Sequence, residues 1–337
     1  MDIFQEIEER LLTPSQRLVE DMKNIKGDIL VLGAGGKMGP SLCILAARAA
    51  AQAGMDKKIY AVSRFSDEKS RKKLEDAGVH TISMDILTGD LSKLPDCENL
   101  IYMAGKKFGT NGAECETWAM NAYLPGRVCE RYPNANIVAF STGNVYPYVE
   151  VSTGGATEDV TPGPIGEYAQ SCLGRERIFE YFSRKFGTKV CMYRLNYAVD
   201  MRYGVIMDIG RAVAKGEELD ITMGHTNAIF QGDANEYAIR CLLHCEAPIN
   251  YMNITGEQIV VVKDVVEKFE KLLGCKAKIT GTPAEKVQLM NPSKAFALMG
   301  KPQVDLDTMI QWGAEWIRQG GEDIGKPTHF NERGGKF

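Results

Sequence analysis

The sequence has few of the features that mark metal binding, secretion or membrane insertion. It contains 4 histidines, and none of them stands near cysteines at the spacing of a zinc site. Its 9 cysteines are scattered without CxxC spacing, which favours buried thiols in a reducing compartment. No apolar run approaches the roughly 18 residues of a transmembrane helix. The acidic start MDIFQEIEERLL is unlike a signal or transit peptide, so we expect a cytoplasmic protein without a metal.

The sequence also lacks an excess of charge of either sign. Its 40 lysines and arginines oppose 44 aspartates and glutamates, which gives a formal net charge of -4 at pH 7. Such a balance provides no basic surface for nucleic acid or for an anionic membrane. Hydrophobic residues make up 44% and charged residues 25%, as in ordinary globular proteins. The expected partner is therefore a small-molecule substrate.

Short apolar runs alternate with helical patterns over the first 200 residues. The runs that predict strands cover residues 28–32, 58–63, 79–84, 99–103, 136–141 and 189–194. Continuous apolar strands that alternate with helices form parallel sheets covered on both faces. We therefore predict an α/β fold with a Rossmann-type doubly wound parallel sheet.

A glycine-rich loop follows the first predicted strand and opens a helix. Gly33 permits a tight turn, Gly36 lets the backbone approach a pyrophosphate, and Gly39 lets the helix pack closely. The N-terminus of the helix then faces the phosphates of a dinucleotide. The loop residues predicted to bind the dinucleotide are Gly33, Gly35, Gly36, Lys37, Met38 and Gly39.

The alternation loosens after about residue 195. Helices predicted near 204–215, 233–245, 262–273 and 305–319 are separated by short strand-like pieces. Ligands of doubly wound sheets bind at the carboxyl ends of the strands, so we expect this part to lie over that edge. The predicted organisation is an N-terminal helical extension at 1–27, an NAD(P)-binding Rossmann domain at 28–200 and a mainly C-terminal, smaller substrate-binding part at 201–337.

Further segments follow the glycine loop in a consistent order. They are Asp85-Ile86, Ala104-Gly105-Lys106-Lys107, Asn121, Ser141–Tyr146 (STGNVY), Ile229–Asp233 (IFQGD) and Tyr251–Gly256 (YMNITG). With the three-and-three glycine spacing, they resemble the extended short-chain dehydrogenase/reductase family of the NAD-dependent epimerase/dehydratase type. The resemblance covers roughly residues 28–320. It implies a homodimer through the helices near 114–131 and 167–186, and cofactor contacts at Asp85, Ile86, Ala104, Gly105, Lys107, Asn121 and Tyr168.

The end of the second predicted strand indicates which dinucleotide is bound. NAD-binding members carry an acid there that holds the ribose 2′-hydroxyl, whereas this strand ends in Ser63 and Arg64. A guanidinium binds a 2′-phosphate through two hydrogen bonds, and Lys37 offers a second cation. We therefore favour NADP over NAD, with NAD as the alternative.

The catalytic residues of the family are only partly present. Redox members use a tyrosine as acid or base, a serine or threonine beside it, and a lysine four residues along the same helix. The resemblance assigns the first two roles to Tyr168 and Thr142. Cys172 stands where the lysine is expected, and the lysine would have lowered the tyrosine pKa.

Three explanations of this departure stay open. Another cation can take the lysine's place, and the candidates are Arg175, Lys106 and Lys107. Cys172 can itself act as an acid, base or nucleophile, or simply fill space as a small buried residue. Alternatively, the chain binds a dinucleotide without turnover, as a catalytically degenerate regulatory or scaffold protein.

The expected substrate is a sugar-like alcohol or carbonyl compound. Nucleotide-sugar members of the family usually carry an arginine just before the IFQGD-like segment, but residues 224–228 read GHTNA here. We therefore expect an NAD(P)-dependent oxidoreductase or epimerase that acts on a free sugar, a sugar acid or a polyol. The candidate substrate contacts are Asn144, Tyr146, Asn196, Arg202 and His225.

Overall fold

The computed structural model describes residues 2–107, 109, 112–326 and 328–335. The core of the protein is a sheet of seven parallel strands. The strands are β1 (Ile29–Leu32), β2 (Ile59–Ser63), β3 (His80–Ser83), β4 (Asn99–Tyr102), β5 (Asn136–Thr142), β6 (Lys189–Leu195) and β7 (Asn250–Ile254). Their order across the sheet is β7-β6-β5-β4-β1-β2-β3, so the chain starts at β1 and winds outward to both edges. The predicted doubly wound α/β fold is confirmed.

The helices follow the predicted segments closely. They are α1 (Ile3–Leu12), α2 (Gln16–Met22), α3 (Gly39–Gln52), α4 (Glu68–Asp76), α5 (Glu114–Trp118), α6 (Leu124–Arg131), α7 (Gly166–Phe186), α8 (Val205–Lys215), α9 (Gln231–Arg240), α10 (Val262–Leu273), α11 (Ser293–Met299) and α12 (Leu306–Arg318). A π-helical turn at Ala119–Tyr123 joins α5 to α6. The segment predicted as one helix over 114–131 is therefore continuous but locally widened.

Both faces of the sheet are covered, as apolar strands require. In β1, Ile29 and Val31 belong to the apolar layer that contains α2, α3 and α9, whereas Leu30 and Leu32 belong to the opposite layer with α6 and α7. Successive side chains of a strand point to opposite faces, so an all-apolar strand has to be buried on both. This arrangement leaves the carboxyl ends of the strands as the edge where a ligand can bind.

One strand of the sheet comes from beyond the predicted boundary at residue 200. Strand β7 pairs with β6, and Asn253 stands opposite Arg194. Helix α9, from the same part of the chain, packs against α3 beside the glycine loop. Residues after 200 therefore complete the nucleotide-binding sheet as well as forming a second apolar cluster around α8, α10 and α12.

The chain continues after α12 without a helix or strand through residues 322–326 and 328–335. We call these residues the strap. The strap is tied to the second cluster, because Phe330 is buried within it and Thr328 is 1% exposed. No helix within the described residues is long and apolar enough to cross a membrane.

Candidate functional site

The glycine loop between β1 and α3 is shaped by close backbone contacts. Gly33 has a φ of +88°, and a Cβ at this residue would lie 2.7 Å from the Ala104 nitrogen. At Gly39 a Cβ would lie 2.2 Å from the Ala34 carbonyl oxygen. Both positions need glycine because of the protein itself, the first for a left-handed turn and the second for close packing of α3.

Gly36 differs from these two positions. A Cβ built there meets only the Gly33 carbonyl oxygen, at 3.5 Å, which is an ordinary van der Waals contact. The fold therefore leaves space in front of Gly36, at the N-terminal end of α3. A pyrophosphate that approaches the loop backbone would fill this space, so the loop fits the dinucleotide that the sequence predicts.

A cleft of about 570 Å³ opens from the glycine loop along the carboxyl ends of β4, β5 and β6. Four charged side chains line it, and all are cations: Lys37, Lys107, Arg175 and Lys326. Among the described lining residues there is no carboxylate. The cleft therefore favours an anionic ligand, as a dinucleotide is.

Tyr168 and Thr142 meet at the centre of this cleft. Thr142 ends β5, Tyr168 lies in the first turn of α7, and both line the cleft, where the Thr142 hydroxyl is close enough to act on the pKa of Tyr168. Burial raises the pKa of Tyr168 well above its usual value, and the Cys172 thiol raises it further. The phenol is therefore protonated at neutral pH and can donate a proton to a substrate oxygen.

Cys172 lies one turn after Tyr168 and behind it. The residue is fully buried, packs with Met290 and Tyr146, and does not line the cleft. Burial also raises the pKa of the Cys172 thiol, although the Arg175 charge acts in the opposite direction. A neutral, buried thiol fits a residue that fills space better than it fits a nucleophile.

Arg175, one of the cations predicted to replace the lysine, lines the cleft. Its guanidinium donates to the Phe140 carbonyl oxygen at 2.7 Å and to the Asn121 Oδ1 at 2.8 Å. It reaches the loop after β4, since a Cβ at Gly105 would lie 2.7 Å from Arg175 Nη2. The positive charge of Arg175 opposes the effect of burial on the pKa of Tyr168. Arg175 is thus a cation that is held firmly at the site.

Asn121 fixes the loop that carries the other two candidate cations. Its side chain accepts from the Lys106 nitrogen at 2.9 Å and donates to the Lys106 carbonyl oxygen at 3.0 Å. The Lys106 ammonium pairs with Glu116 at 2.6 Å and is not part of the cleft lining. Lys107 does line the cleft, and burial lowers its pKa to about 8.

Lys37 turns toward the segment after β6, not toward Arg64. Its Nζ donates to the Ala198 carbonyl oxygen at 2.9 Å and lies 4.2 Å from the centre of the Tyr203 ring. Burial lowers the pKa of Lys37 to about 7. The end of β6 is four strands away from the end of β2, at roughly 4.8 Å per strand. The two cations therefore do not converge in this structure, and the prediction of a 2′-phosphate site rests on Ser63 and Arg64.

The residues predicted for the adenosine end lie after β2 and β3. Ser63 packs against the loop, since a Cβ at Gly35 would lie 2.3 Å from its Oγ. Arg64 is exposed and its carbonyl oxygen accepts from Ser83. Asp85 is also exposed, whereas Ile86 is buried. These positions lie at the same edge of the sheet as the glycine loop.

Two of the five predicted substrate contacts line the cleft, namely Asn144 and Asn196. Tyr146 lies beneath it, because its buried hydroxyl donates to Asn253 Oδ1 at 2.8 Å and accepts from Arg194 at 2.6 Å. Arg194 in turn pairs with Glu176 at 2.6 Å, so the Tyr146 hydroxyl is held in a buried network.

Arg202 and His225 also fall outside the described cleft lining. Arg202 forms an ion pair with Asp200 at 2.6 Å. His225 belongs to a two-residue strand, His225–Thr226, that pairs with Val260–Val261. Arg202 is thus paired within the protein, and neither Arg202 nor His225 belongs to the described lining of the cleft.

Several lining residues had no signal in the sequence, namely Tyr197, Tyr203, Gly204, Ile324 and Lys326. They come from loops and the strap, where no periodic pattern exists. Within the described part of the chain, no three side chains that could ligate a metal converge.

Comparisons with known proteins agree with the glycine loop and the cleft described above. A model of the NAD dependent epimerase/dehydratase family matches residues 29–223, more than half of the chain. The chain therefore belongs to this family of short-chain dehydrogenase-type enzymes, as its motifs predicted. No curated protein sequence matches it.

Solved structures share the fold at low sequence identity. UDP-glucuronic acid 4-epimerase from Bacillus cereus in complex with NAD is 20% identical, with a TM-score of 0.72 over 87% of this chain and 99% of that chain. dTDP-glucose 4,6-dehydratase from Bacillus anthracis in complex with NAD is 19% identical, with a TM-score of 0.71 over 87% and 97%. UDP-glucose 4-epimerase from Thermus thermophilus in complex with NAD is 16% identical, with a TM-score of 0.68 over 86% and 99%.

The Cys172→Lys variant tests how the pKa of Tyr168 is set. The new ammonium would replace a thiol that raises this pKa, so we expect the Tyr168 pKa to fall by about 1–3 units. Titration of 13Cζ-labelled tyrosine by NMR measures it, and Tyr168→Phe assigns the signal. Cys172→Ala, which removes the thiol without adding a charge, is the control and should shift the pKa less. An unchanged or higher pKa in Cys172→Lys would contradict the electrostatic explanation.

Proposed function

We propose that this protein is an NAD(P)-dependent oxidoreductase or epimerase that acts on a hydroxyl or carbonyl group of a sugar-like small molecule. The observation that carries the proposal is that Tyr168 and Thr142 lie close together in a cleft that begins at the glycine loop. A bound nicotinamide supplies or accepts the hydride in such enzymes. The chain's own contribution is to place an acid or base at the substrate oxygen.

The protonation state of Tyr168 gives the proposed reaction a preferred direction in the free protein. Because its raised pKa keeps the hydroxyl protonated at neutral pH, Tyr168 Oη is ready to give its proton to a carbonyl oxygen. Thr142 can donate a second hydrogen bond to the same oxygen. In the oxidation direction Tyr168 must first lose its proton, so that rate should rise with pH over the alkaline range.

Arg175 takes over the electrostatic part of the lysine's role in this proposal. Its guanidinium is buried, is held by three hydrogen bonds to Phe140 and Asn121, and lines the cleft. A fixed cation close to the phenol stabilises the phenolate that forms when a proton leaves. A protein that only bound a dinucleotide would not need Tyr168 and Thr142 together in the cleft.

The experiment is a turnover assay with both oxidised and both reduced dinucleotides. The panel contains free sugars, sugar acids and polyols, and the corresponding carbonyl compounds for the reduction. Absorbance of the reduced nicotinamide follows net redox, and NMR of the products reveals epimerisation. Turnover of at least one panel member is the expected result. Tight dinucleotide binding without turnover on any member would favour the regulatory alternative.

We propose NADP(H) as the preferred cofactor, on the basis of Ser63 and Arg64 alone. Arg64→Ala is expected to weaken NADP+ about 10- to 100-fold, because a charge-assisted hydrogen bond contributes about 1.5–3 kcal/mol. Its effect on NAD+ should be small, since NAD+ has no 2′-phosphate. Calorimetric titration measures both affinities, with Arg71→Ala on the exposed face of α4 as the control. Equal weakening of both cofactors, or a wild-type preference for NAD+, would contradict this assignment.

The substrate in our proposal is a single sugar, sugar acid or polyol rather than a nucleotide sugar. Residues 224–228, just before Ile229, contain no arginine that could bind a diphosphate. We also propose a homodimer through α5, α6 and α7. Large exposed side chains on these helices and on the turn between α5 and α6 support it: Trp118, Tyr123, Tyr181 and Phe186.

A further inference from the structure

The strap begins beside the dinucleotide end of the cleft. Ile324 and Lys326 line the cleft, and the Ile324 nitrogen donates to the Arg202 carbonyl oxygen at 3.1 Å. Further along, the backbone nitrogen and the hydroxyl of Thr328 both donate to Asp208 Oδ2, at 2.8 and 2.6 Å. Because Asp208 lies on α8, these bonds hold the first half of the strap against the C-terminal part of the protein.

The other end of the strap is held on the opposite side of the site. The Tyr148 hydroxyl donates to the Arg333 carbonyl oxygen at 3.2 Å, and Arg333 Nη2 donates to the Lys286 carbonyl oxygen at 2.9 Å. The backbone of Gly335 touches the start of α7, since a Cβ at Gly166 would lie 2.3 Å from its carbonyl oxygen. Tyr168 follows Gly166 by two residues, so the strap crosses the site from α8 to the helix that carries the proton donor.

A small cavity lies between this crossing and the reacting groups. Its volume is about 20 Å³, and Asn144 belongs both to it and to the large cleft. The strap contributes Phe330, Glu332 and Gly335 to its wall. A cavity of this volume holds roughly one water molecule, because a single water needs about 10–15 Å³ by the same measure. With the strap in place, the small cavity next to Asn144 is too small to hold a further part of a substrate.

We propose that the strap determines which substrates fit, by closing the site beyond Asn144 so that only a compound of about the size of one sugar can reach Tyr168. This inference rests on the proposed function, because it assumes that the substrate oxygen lies at Tyr168 and Thr142. The contacts of Thr328 with Asp208 and of Gly335 with Gly166 fix the strap at both ends. A larger group attached to the substrate would have to displace residues 331–335.

A shortened chain that ends at Phe330 tests this proposal. It lacks Glu332 and Gly335 but keeps the bonds of Thr328 and the buried ring of Phe330, so the C-terminal cluster stays intact. Met223→Cys supplies a probe, since Met223 is 2% exposed, lines the small cavity and lies 3.7 Å from the Arg333 guanidinium. The rate of N-ethylmaleimide labelling at this position is measured by mass spectrometry in the full-length and shortened chains.

We expect labelling at position 223 to be about tenfold faster or more in the shortened chain, because buried sites react through local opening and the strap would no longer have to open. Cys43 is the internal control, since it is fully buried in α3 and should stay unlabelled in both chains. Equal labelling rates at position 223 would overturn the proposal. This readout needs no substrate, so it decides the role of the strap even if the turnover panel fails.

A second measurement compares substrates of two sizes with dinucleotide present. Glucuronic acid and UDP-glucuronic acid serve as the probes, because they share a sugar acid and differ by a nucleoside diphosphate. The kcat/KM for the larger compound relative to the smaller should rise about tenfold on shortening the chain. A full-length chain that already prefers the larger compound would overturn the size limit while leaving the enzymatic proposal intact.

Discussion

Tyr168→Phe is expected to lower kcat by roughly 10²–10⁴-fold, which is the usual contribution of a positioned general acid or base. The ring stays in its packing with Val145 and Tyr146, so the fold should be retained. The variant loses only the hydroxyl that lies close to Thr142 and that donates the proton. Affinity for the dinucleotide should stay within about twofold, since the hydroxyl is one contact among many. Steady-state kinetics on the active panel members and calorimetric titration with the dinucleotide measure these effects.

Tyr146→Phe is the matched control, because it removes the same group from a second tyrosine near the site. The Tyr146 hydroxyl bonds to Asn253 and Arg194 and is held in the buried network. We expect near-normal kcat and a loss of about 1–3 kcal/mol in the free energy of unfolding, because two buried polar partners lose a hydrogen bond. If Tyr168→Phe turned over as fast as the wild type, the assignment of Tyr168 as the acid or base would be wrong.

Five of the six strands up to residue 195 could be predicted because each contains a short apolar run, whereas β3 reads HTIS and lies at the edge of the sheet with His80 and Ser83 exposed. Their observed bounds differ from the predicted ones by at most one residue at each end, as with 58–63 and Ile59–Ser63. Strands buried on both faces carry mostly apolar side chains, so the pattern is simple to read. The glycine loop was equally clear, because only glycine fits at Gly33 and Gly39.

Strand β7 could not be recognised in the same way. Its sequence, NYMNI, carries two asparagines where an apolar run would be expected. Asn253 is fully buried, but its side chain bonds to the Tyr146 hydroxyl and to the Ala156 and Asn291 carbonyl oxygens. Partners from distant parts of the chain make this polar residue acceptable in the core, and no local pattern reveals them.

The directions in which long charged side chains point could not be predicted from the sequence either. Lys37, Arg202 and Arg175 were all candidates for contacts near the ligand, yet only the structure separates them. Arg202 is held by Asp200, two residues away, and Lys37 by a carbonyl oxygen 161 residues away. A flexible side chain follows whichever acceptor the fold places nearby, and the sequence gives no distance to that acceptor. The strap has no periodic pattern, and so its place over the site was not predicted either.

Two glycines of the loop, Gly39 and Gly36, should respond differently to the same substitution. Gly39→Ala is expected to destabilise the protein by about 1–3 kcal/mol, because the new methyl group would lie 2.2 Å from the Ala34 carbonyl oxygen and the main chain has to move. Gly36→Ala meets no such obstacle, and it should leave the free energy of unfolding unchanged or raise it by about 0.4–1 kcal/mol. Urea unfolding without dinucleotide measures both effects.

The loss of dinucleotide affinity should be larger in Gly36→Ala than in Gly39→Ala, which is the reverse of their expected effects on stability. In Gly36→Ala the methyl group fills the space in front of the loop, so a pyrophosphate can no longer reach the backbone nitrogens. We expect affinity to fall about 100-fold, which corresponds to roughly 2.7 kcal/mol. Calorimetric titration of the folded variant measures it. Gly54→Ala, at the other end of α3, is a control for affinity but not for stability, because its φ of +69° strains an alanine. Wild-type affinity in Gly36→Ala would mean that the phosphates bind elsewhere, because the fold alone gives no reason for glycine at this position.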